Sequence, residues 1–486
     1  MSDIERLAII ALVNILFFWK TIYYGYVGDD VERSERKVEF KNAWHRRWLQ
    51  FIGLKHIDLQ VSHALNILCH TICCMLIYLA FGRNNVSFIA ALLFSVNPAN
   101  IQGSVWISGR NYAISSAICL LMFMFPKISW AFYAATSHFA ANAWFAPLAF
   151  LGTKHWYMIF IIPAIWLLSK TNRDTIETKL WKNNGLKTTN TEMRVVKPRK
   201  IIPFVKTHLY YFLLCLFPFK IAIEHNYLRG FGTNQTDNRN GYKKDFLFWA
   251  GLVLFIPIVS WSVWCIFNGW NPICWGLFWF TINIAMWCNF VTYQQQIAER
   301  YVYLANIGIC YALANILPPI LVPALLSAYA VRLWYAMDMY INDWWAVEYT
   351  IREEKKGHYM WIMRGVKKFM DKDHMGALRD FDEAYICKPY DLKVLFNLST
   401  TCFILGDAVK ARDFLERAKI NVYDELDDDV KPAFSQLETL IKQVEDAKAK
   451  GETQVQIDLQ KVMVVKSLIP FIIPLLLTII GSWGIV

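Results

Sequence analysis

Asp29 and Asp30 are adjacent carboxylates just beyond the first long apolar stretch of the chain. Glu299-Arg300 is a second ionisable pair, set between two later apolar stretches. A carboxylate beside hydrocarbon is disfavoured, so ionisable residues at such places are functional candidates by default. A carboxylate accepts hydrogen bonds and protons, and a guanidinium offers a planar fork of donors. Arg110 and Glu224-His225 also stand at the ends of apolar stretches. Whether these groups act together is a question of topology.

The chain has 486 residues, of which 56% are hydrophobic, 16% aromatic and only 18% charged. Apolar runs of the length that crosses a bilayer, about 17–25 residues, recur along it. Helices are the expected spanning elements, because lipid offers no partner for backbone groups. The runs fall at 7–27, 61–81, 86–97, 111–126, 128–151, 156–169, 207–223, 246–267, 272–291, 301–317, 318–336 and 467–486. The first is long and unbroken, with no small-residue cleavage pattern after it, and reads as a retained anchor. Ser137, His138 and Asn142 in the fifth suggest a bent helix facing protein. The 11 Cys lie mostly inside these runs, without the spacing of a disulfide framework or a zinc site, and read as small core residues.

The net charge of +11 is uneven, for residues 170–206 carry 10 basic and 3 acidic side chains. That loop is expected in the cytoplasm by the positive-inside rule, which leaves no need for a nucleic-acid partner. By alternation the N-terminus is also cytoplasmic. The loops 28–60, 98–110, 224–245 and 292–300 then share the outer face, which brings Asp29-Asp30, Arg110, Glu224-His225 and Glu299-Arg300 to one side. A common pocket is the economical reading. Phe40, Trp44, Trp48, Phe51 and Ile52 recur at helical spacing in the first of these loops, as in a helix lying at the membrane interface or packed on the other loops.

Residues 338–466 are different, with 20 basic and 24 acidic residues and no apolar span. Asp373, Ala377 and Ala384 recur 34 residues later as Asp407, Ala411 and Ala418, and Pro389 lies between the units. This period and these small residues match tetratricopeptide repeats, whose helix pairs stack into a concave surface for a partner protein. Residues 425–449 read as a capping helix. The expected architecture is all-α: a polytopic membrane domain over 1–336 with about 11 spans, a repeat domain over 337–460, and a C-terminal membrane helix over 461–486.

Several segments together resemble a family. They are Asp29-Asp30 after the first span, His63-Ala-Leu-Asn66 with His70, and Asn97-Pro98 leading to Ser104-Val-Trp-Ile-Ser-Gly-Arg110. Leu216-Phe-Pro218 ahead of His225, and Ala298-Glu-Arg-Tyr-Val-Tyr303-Leu, complete the set. Their order resembles the tetratricopeptide-bearing membrane O-mannosyltransferases, polyprenyl-phosphate-sugar enzymes of the GT-C fold, from residue 7 to about 420. The chain departs from the family at Asn97, Asn100 and Gln102, where the family has His, His and Glu, and at Ser137-His138, where it has Lys-Glu. Asn111-Tyr112 stands where an acidic residue often follows Gly-Arg. Amides keep hydrogen-bonding capacity but neither move a proton nor hold a metal strongly.

The resemblance implies transfer of a mannose-like sugar from a polyprenyl-phosphate donor to a protein hydroxyl on the outer or lumenal face. The membrane would be a bacterial inner membrane or the endoplasmic reticulum. Asp29 or Asp30 would be the general base, and Arg300 and Arg110 would hold the departing phosphate. Glu299 would orient Arg300, while Tyr301 and Tyr303 would line the sugar site or belong to the interfacial aromatic belt. Asn97, Asn100, Gln102, His138 and His225 would belong to the pocket. The lipid bilayer and the lipid-linked sugar are the implied partners, with the acceptor protein on the repeats. No metal ligands are assigned, and a divalent metal is left open as a cofactor. His63 and His70, seven residues apart, fit helix packing or a metal. Asn234-Gln-Thr236 and Asn397-Leu-Ser399 match the glycosylation pattern. Two other classes remain open: a catalytically silent membrane scaffold, favoured by the amides, and an oligosaccharide ligase or polymerase, disfavoured by the lack of a large loop between spans.

Overall fold

The computed structural model describes residues 1–28, 58–139, 145–162, 201–223, 225, 246–288, 297–355, 357–389, 391–422 and 431–449. Asp29, Asp30 and Glu224, the interfacial helix of the first outer loop, most of the basic loop and the run at 467–486 lie outside them. So does the side chain of His138. Among the described residues every regular element is helical.

Five helical stretches are long and apolar enough to cross a membrane: Asp3–Tyr23, Leu59–Ala80, Ile107–Met124, Phe246–Asn268 and Pro319–Tyr340. A sixth path is the bent pair Asn85–Val96 and Pro98–Ser104, which turns by 61°. The expected boundaries shift for physical reasons. The stretch at 128–151 is no continuous helix, since Ser129–Phe139 is followed by a separate 3-10 turn, Ala146–Phe150. The run at 207–223 leaves the helix at Leu216, just ahead of Pro218, which cannot continue it. Phe204–Leu216 and Pro272–Trp287 are apolar but shorter than a full span.

The α-helices of the bundle are α1 (Asp3–Phe18), α2 (Leu59–Ala80), α3 (Asn85–Val96), α4 (Ile101–Ser104), α5 (Arg110–Met124), α6 (Ser129–Phe139), α7 (Ile201–Leu216), α8 (Phe246–Asn268), α9 (Pro272–Ile284), α10 (Tyr303–Ile316) and α11 (Val322–Met337). At one end of the bundle Arg6 Nη2 bonds Asn85 Oδ1 at 2.6 Å and Tyr78 OH bonds Asp3 Oδ1 at 2.5 Å. The other end holds Gly28, Trp106 and Arg300. In the core, Asn14 Nδ2 donates to Ser95 Oγ at 3.0 Å, and His70 meets Ser95 O at 3.2 Å and Tyr303 OH at 2.5 Å. The network ties α1, α2, α3 and α10 with every named group partnered, as burial in a low-dielectric core requires. Helices α9 and α10 approach through glycines. A Cβ on Gly308 would lie 2.2 Å from Gly276 O, so only small residues permit this contact.

Beyond the bundle come α12 (Asp343–Glu353), α13 (His358–Met370), α14 (His374–Cys387), α15 (Leu392–Ile404), α16 (Ala408–Val422) and α17 (Lys431–Ala449). The α13–α14 and α15–α16 pairs start 34 residues apart, at His358 and Leu392 and at His374 and Ala408. Ala377, Ala384, Ala411 and Ala418 are fully buried at the helix contacts. Gly365 lets the Phe381 ring pack on α13, where a Cβ would come within 2.5 Å of it. Asp373 and Asp407 accept the backbone N–H of Gly376 and Lys410 at 2.8 and 3.0 Å, each satisfying a donor left open by the first helical turn. Helix α15 is apolar because it packs on both sides. Its Asn397 is buried within the helix, so the glycosylation pattern there does not present a reachable side chain.

Candidate functional site

Three breaks in helical structure build the site. Asn97 ends α3: its Oδ1 caps Ala99 N at 2.9 Å, Pro98 opens a 3-10 turn, and its Nδ2 donates to Cys215 O at 3.0 Å. Asn100 donates to Phe94 O at 2.7 Å and accepts from Asn306 at 3.0 Å. These two amides hold the bend rather than facing a ligand, and the bend delivers Gln102 on α4. The second break is the segment after α7. Arg332 binds Pro218 O at 3.2 Å and Phe219 O at 2.8 Å, and Lys220 pairs with Glu354. Ile223 N donates to Thr350 Oγ1 at 3.2 Å. So tethered, the segment carries His225 inward. The third is the 3-10 turn Glu299–Val302 ahead of α10.

The three meet at Glu299, which is completely buried. Its Oε1 accepts from Ala222 N at 2.9 Å and lies 2.7 Å from His225 Nε2, while Tyr210 OH lies 2.7 Å from His225 Nδ1. Its Oε2 accepts from Gln102 Nε2 at 2.9 Å. Gln102 Oε1 accepts in turn from Arg300 N at 3.1 Å and Arg300 Nη1 at 3.3 Å. Glu299 therefore orients Arg300 through Gln102. An amide is the group that donates to a carboxylate and accepts from a guanidinium at once, and a carboxylate at 102 could not donate when ionised. The Arg300 guanidinium also lies 4.8 Å from the Tyr301 ring centre and 5.7 Å from that of Trp106. Tyr301 stacks on Trp287 at 4.0 Å.

A cavity of about 70 Å³ opens beside Arg300, with Gly28, Gln102, Trp106 and Asp343 on its wall. Trp106 Nε1 donates to Val27 O at 3.0 Å and Asp343 accepts Gly28 N at 2.5 Å. Asp343 stands at the rim. Desolvation by its neighbours raises its carboxyl above the usual range, and the Gly28 N–H pulls it back. Further bonds run along the same seam: Lys20 Nζ to Asp338 at 2.8 Å, Tyr24 OH to Asp338 at 3.0 Å and Gly25 N to Ile341 O at 2.7 Å. The stretch leading to Asp29-Asp30 is thus fastened to the junction between α11 and α12.

Comparison with known proteins finds no family model and no curated protein that matches the chain.

The sequence-selected residues divide accordingly. Gln102, His225, Glu299, Arg300 and Tyr301 form one connected cluster. Arg110 does not line the cavity; it is buried against α2, donating to Asn66 Oδ1 and Ser62 O, both at 2.6 Å. Tyr303 is completely buried and bonds His70, so neither it nor the stacked Tyr301 faces lipid as belt residues would. Among the described residues no three His, Cys, Asp or Glu side chains gather as a metal site. Asp343 and Trp106 were missed. Asp343 follows Asn342, the cap of α12, and so looks like an ordinary first-turn acid; its place just after the last apolar helix of the bundle was the available signal.

Proposed function

We propose that the chain is a membrane glycosyltransferase of the polyprenyl-phosphate-sugar type. It transfers a mannose-like sugar to a protein hydroxyl, on a GT-C-like scaffold with tetratricopeptide-type repeats. The observation that carries the reading is the cavity at Arg300. A buried, oriented guanidinium faces the place where the loop bearing Asp29-Asp30 leaves the first span. In this reading the acceptor oxygen bonds to the anomeric carbon, the bond from that carbon to the phosphate oxygen breaks, and the lipid phosphate leaves. Asp29 or Asp30 takes the hydroxyl proton, and Arg300 holds the charge developing on phosphate. The site faces the outer or lumenal side, and about 11 spans with a C-terminal membrane helix complete the topology.

The test uses the full chain in nanodiscs with polyprenyl-phosphate-mannose. Asp30→Asn should lower transfer by about 10²–10⁴ while donor binding persists. Arg300→Ala should weaken donor binding and turnover together. An Asp29→Asn/Asp30→Asn double variant with undiminished transfer would overturn the base assignment.

The scaffold reading keeps one specific support. Asn97 and Asn100, at positions where the family has histidines, are engaged in holding the helix break, and neither transfers a proton. Binding of polyprenyl phosphate by the chain without any transfer of sugar would favour it.

A further inference from the structure

The far wall of the cavity is apolar and comes from beyond the membrane bundle. Ala346 and Val347 on α12 and Met360 and Met363 on α13 face the side that carries Arg300. We propose that this wall is the acceptor subsite, that it takes one segment of extended peptide, and that it selects a hydroxyl residue flanked by an apolar side chain. The proposal deepens the transferase reading and rests on it.

Three observations support a peptide rather than the lipid chain of a donor. The first is position: α12 and α13 follow Pro319–Tyr340, the last long apolar helix among the described residues, and neither is itself a candidate membrane span. The second is the chemistry behind the wall. Arg364 on α13 grips Asp380 with two bonds of 2.9 Å and reaches Glu348 at 3.1 Å, while Lys368 pairs with Asp380 at 2.8 Å. Such a charged layer belongs to a water-facing domain. The third is size. At ~10–15 Å³ for each water-sized position, a cavity of about 70 Å³ offers about five to seven such positions, room for one side chain beside Arg300 and not for a prenyl chain.

The residue types fit the same occupant. Methionine is unbranched and flexible, so two of them tolerate several apolar shapes. Asp343 at the rim uses one oxygen for Gly28 N and has acceptor capacity left for a peptide N–H.

The test takes the full chain in phosphatidylcholine nanodiscs with two probes, acetyl-Val-Thr-Val-amide and acetyl-Gly-Thr-Gly-amide. Calorimetry measures retention of each, and transfer from polyprenyl-phosphate-mannose is followed in parallel. The parent chain should prefer the valine peptide about tenfold, the order expected for filling a small apolar pocket. Met363→Ala, which empties the wall, and Ala346→Phe, which fills it, should both bring the ratio towards one. Met363→Leu, of similar volume, should keep it, which separates loss of the pocket from loss of the fold. A parent ratio near one would overturn the proposal. So would variants that release polyprenyl phosphate while leaving the peptide preference intact, since the wall would then serve the lipid. Preference for the valine peptide without any transfer would leave the subsite standing and remove the transferase reading. Transfer with no preference would do the reverse.

Discussion

Gln102→Leu should be among the most damaging single changes in the bundle. The side chain donates to buried Glu299 at 2.9 Å and accepts from Arg300 at 3.1 and 3.3 Å. Leucine fills the space without either function. A lost bond to a charged group is worth about 1.5–3 kcal/mol, and an acceptor withdrawn from a buried guanidinium adds a similar amount. The sum is about 3–6 kcal/mol, overlapping the ~3–5 kcal/mol found on breaking a buried charged pair. SDS-induced unfolding of the full chain, followed by tryptophan fluorescence, measures it. A loss below about 1 kcal/mol would refute the bridge as an energetic link. Gln102→Glu sharpens the test through pH. The new carboxyl would face Glu299, and two carboxyls at that distance do not both ionise, so one folded-state pKa rises. A group with a raised pKa contributes stability below its unfolded value, and that contribution is lost as pH rises through the folded one. The variant should therefore be nearer the parent at pH 5 than at pH 8; the opposite order would show that the two carboxyls do not meet.

Four further outcomes follow from the packing and the charges. Gly308→Ala should destabilise the bundle by about 1–3 kcal/mol, the usual cost of overpacking, because its Cβ would press on Gly276 O; an unchanged SDS midpoint would argue against the close contact of α9 and α10. Burial opposes the Asp391 charge, but Lys388, His358 and Lys393 hold its carboxyl down to about 2, so its stabilisation should be present above about pH 4 and fade between 4 and 2. Burial brings Lys393 down to about 8, so the folded repeat region binds fewer protons than the unfolded chain between about 8 and 10.4, and stability should rise with pH there. Comparing pH-dependent melting of the parent with Asp391→Asn and Lys393→Met checks both signs. Asp407→Ala should cost the repeat region about 1 kcal/mol by uncapping α16, read as faster hydrogen exchange in 408–411 with exchange in α2 unaltered.

Apolar run length made the helical character readable, because lipid admits few other structures. It did not fix the number of spans, since apolarity does not say whether a helix continues. Pro218 ends a helix inside the run 207–223, which reads as continuous, whereas Pro98 falls at the end of its run, where the break is expected. Leu392–Ile404 is as apolar as a short membrane helix yet lies inside the repeat region. The repeat offset was readable from Asp373, Ala377 and Ala384 because each does a repeated local task, capping or close packing. At the site, sequence brought Glu299-Arg300 and His225 together by counting loops, and these residues do cluster. It did not resolve what the amides do, for an amide reads alike in sequence whether it holds backbone or side chain. Nor did it exclude Arg110, whose partners on α2 lie more than forty residues away. Asp29 and Asp30, on which the proposed mechanism depends most, fall outside the described residues.

The seam between residues 20–28 and 334–343 links these findings. Lys20, Tyr24, Gly25 and Gly28 each bond a partner on the second stretch, and at ~0.5–1.5 kcal/mol for each bond the set outweighs thermal motion at room temperature. Where the first loop departs is thereby tied to where α12 begins, and α12 and α13 supply the far wall of the cavity. The helices beyond the bundle are then part of the site itself. They fix the departure point of the acidic pair on one side and shape the opening opposite Arg300 on the other. A domain that only recruited a partner would need neither contact, since a flexible tether serves recruitment as well. In the proposed reading the unit that carries the cavity is the bundle closed by α12 and α13, and α13 is also the first helix of the 34-residue repeat.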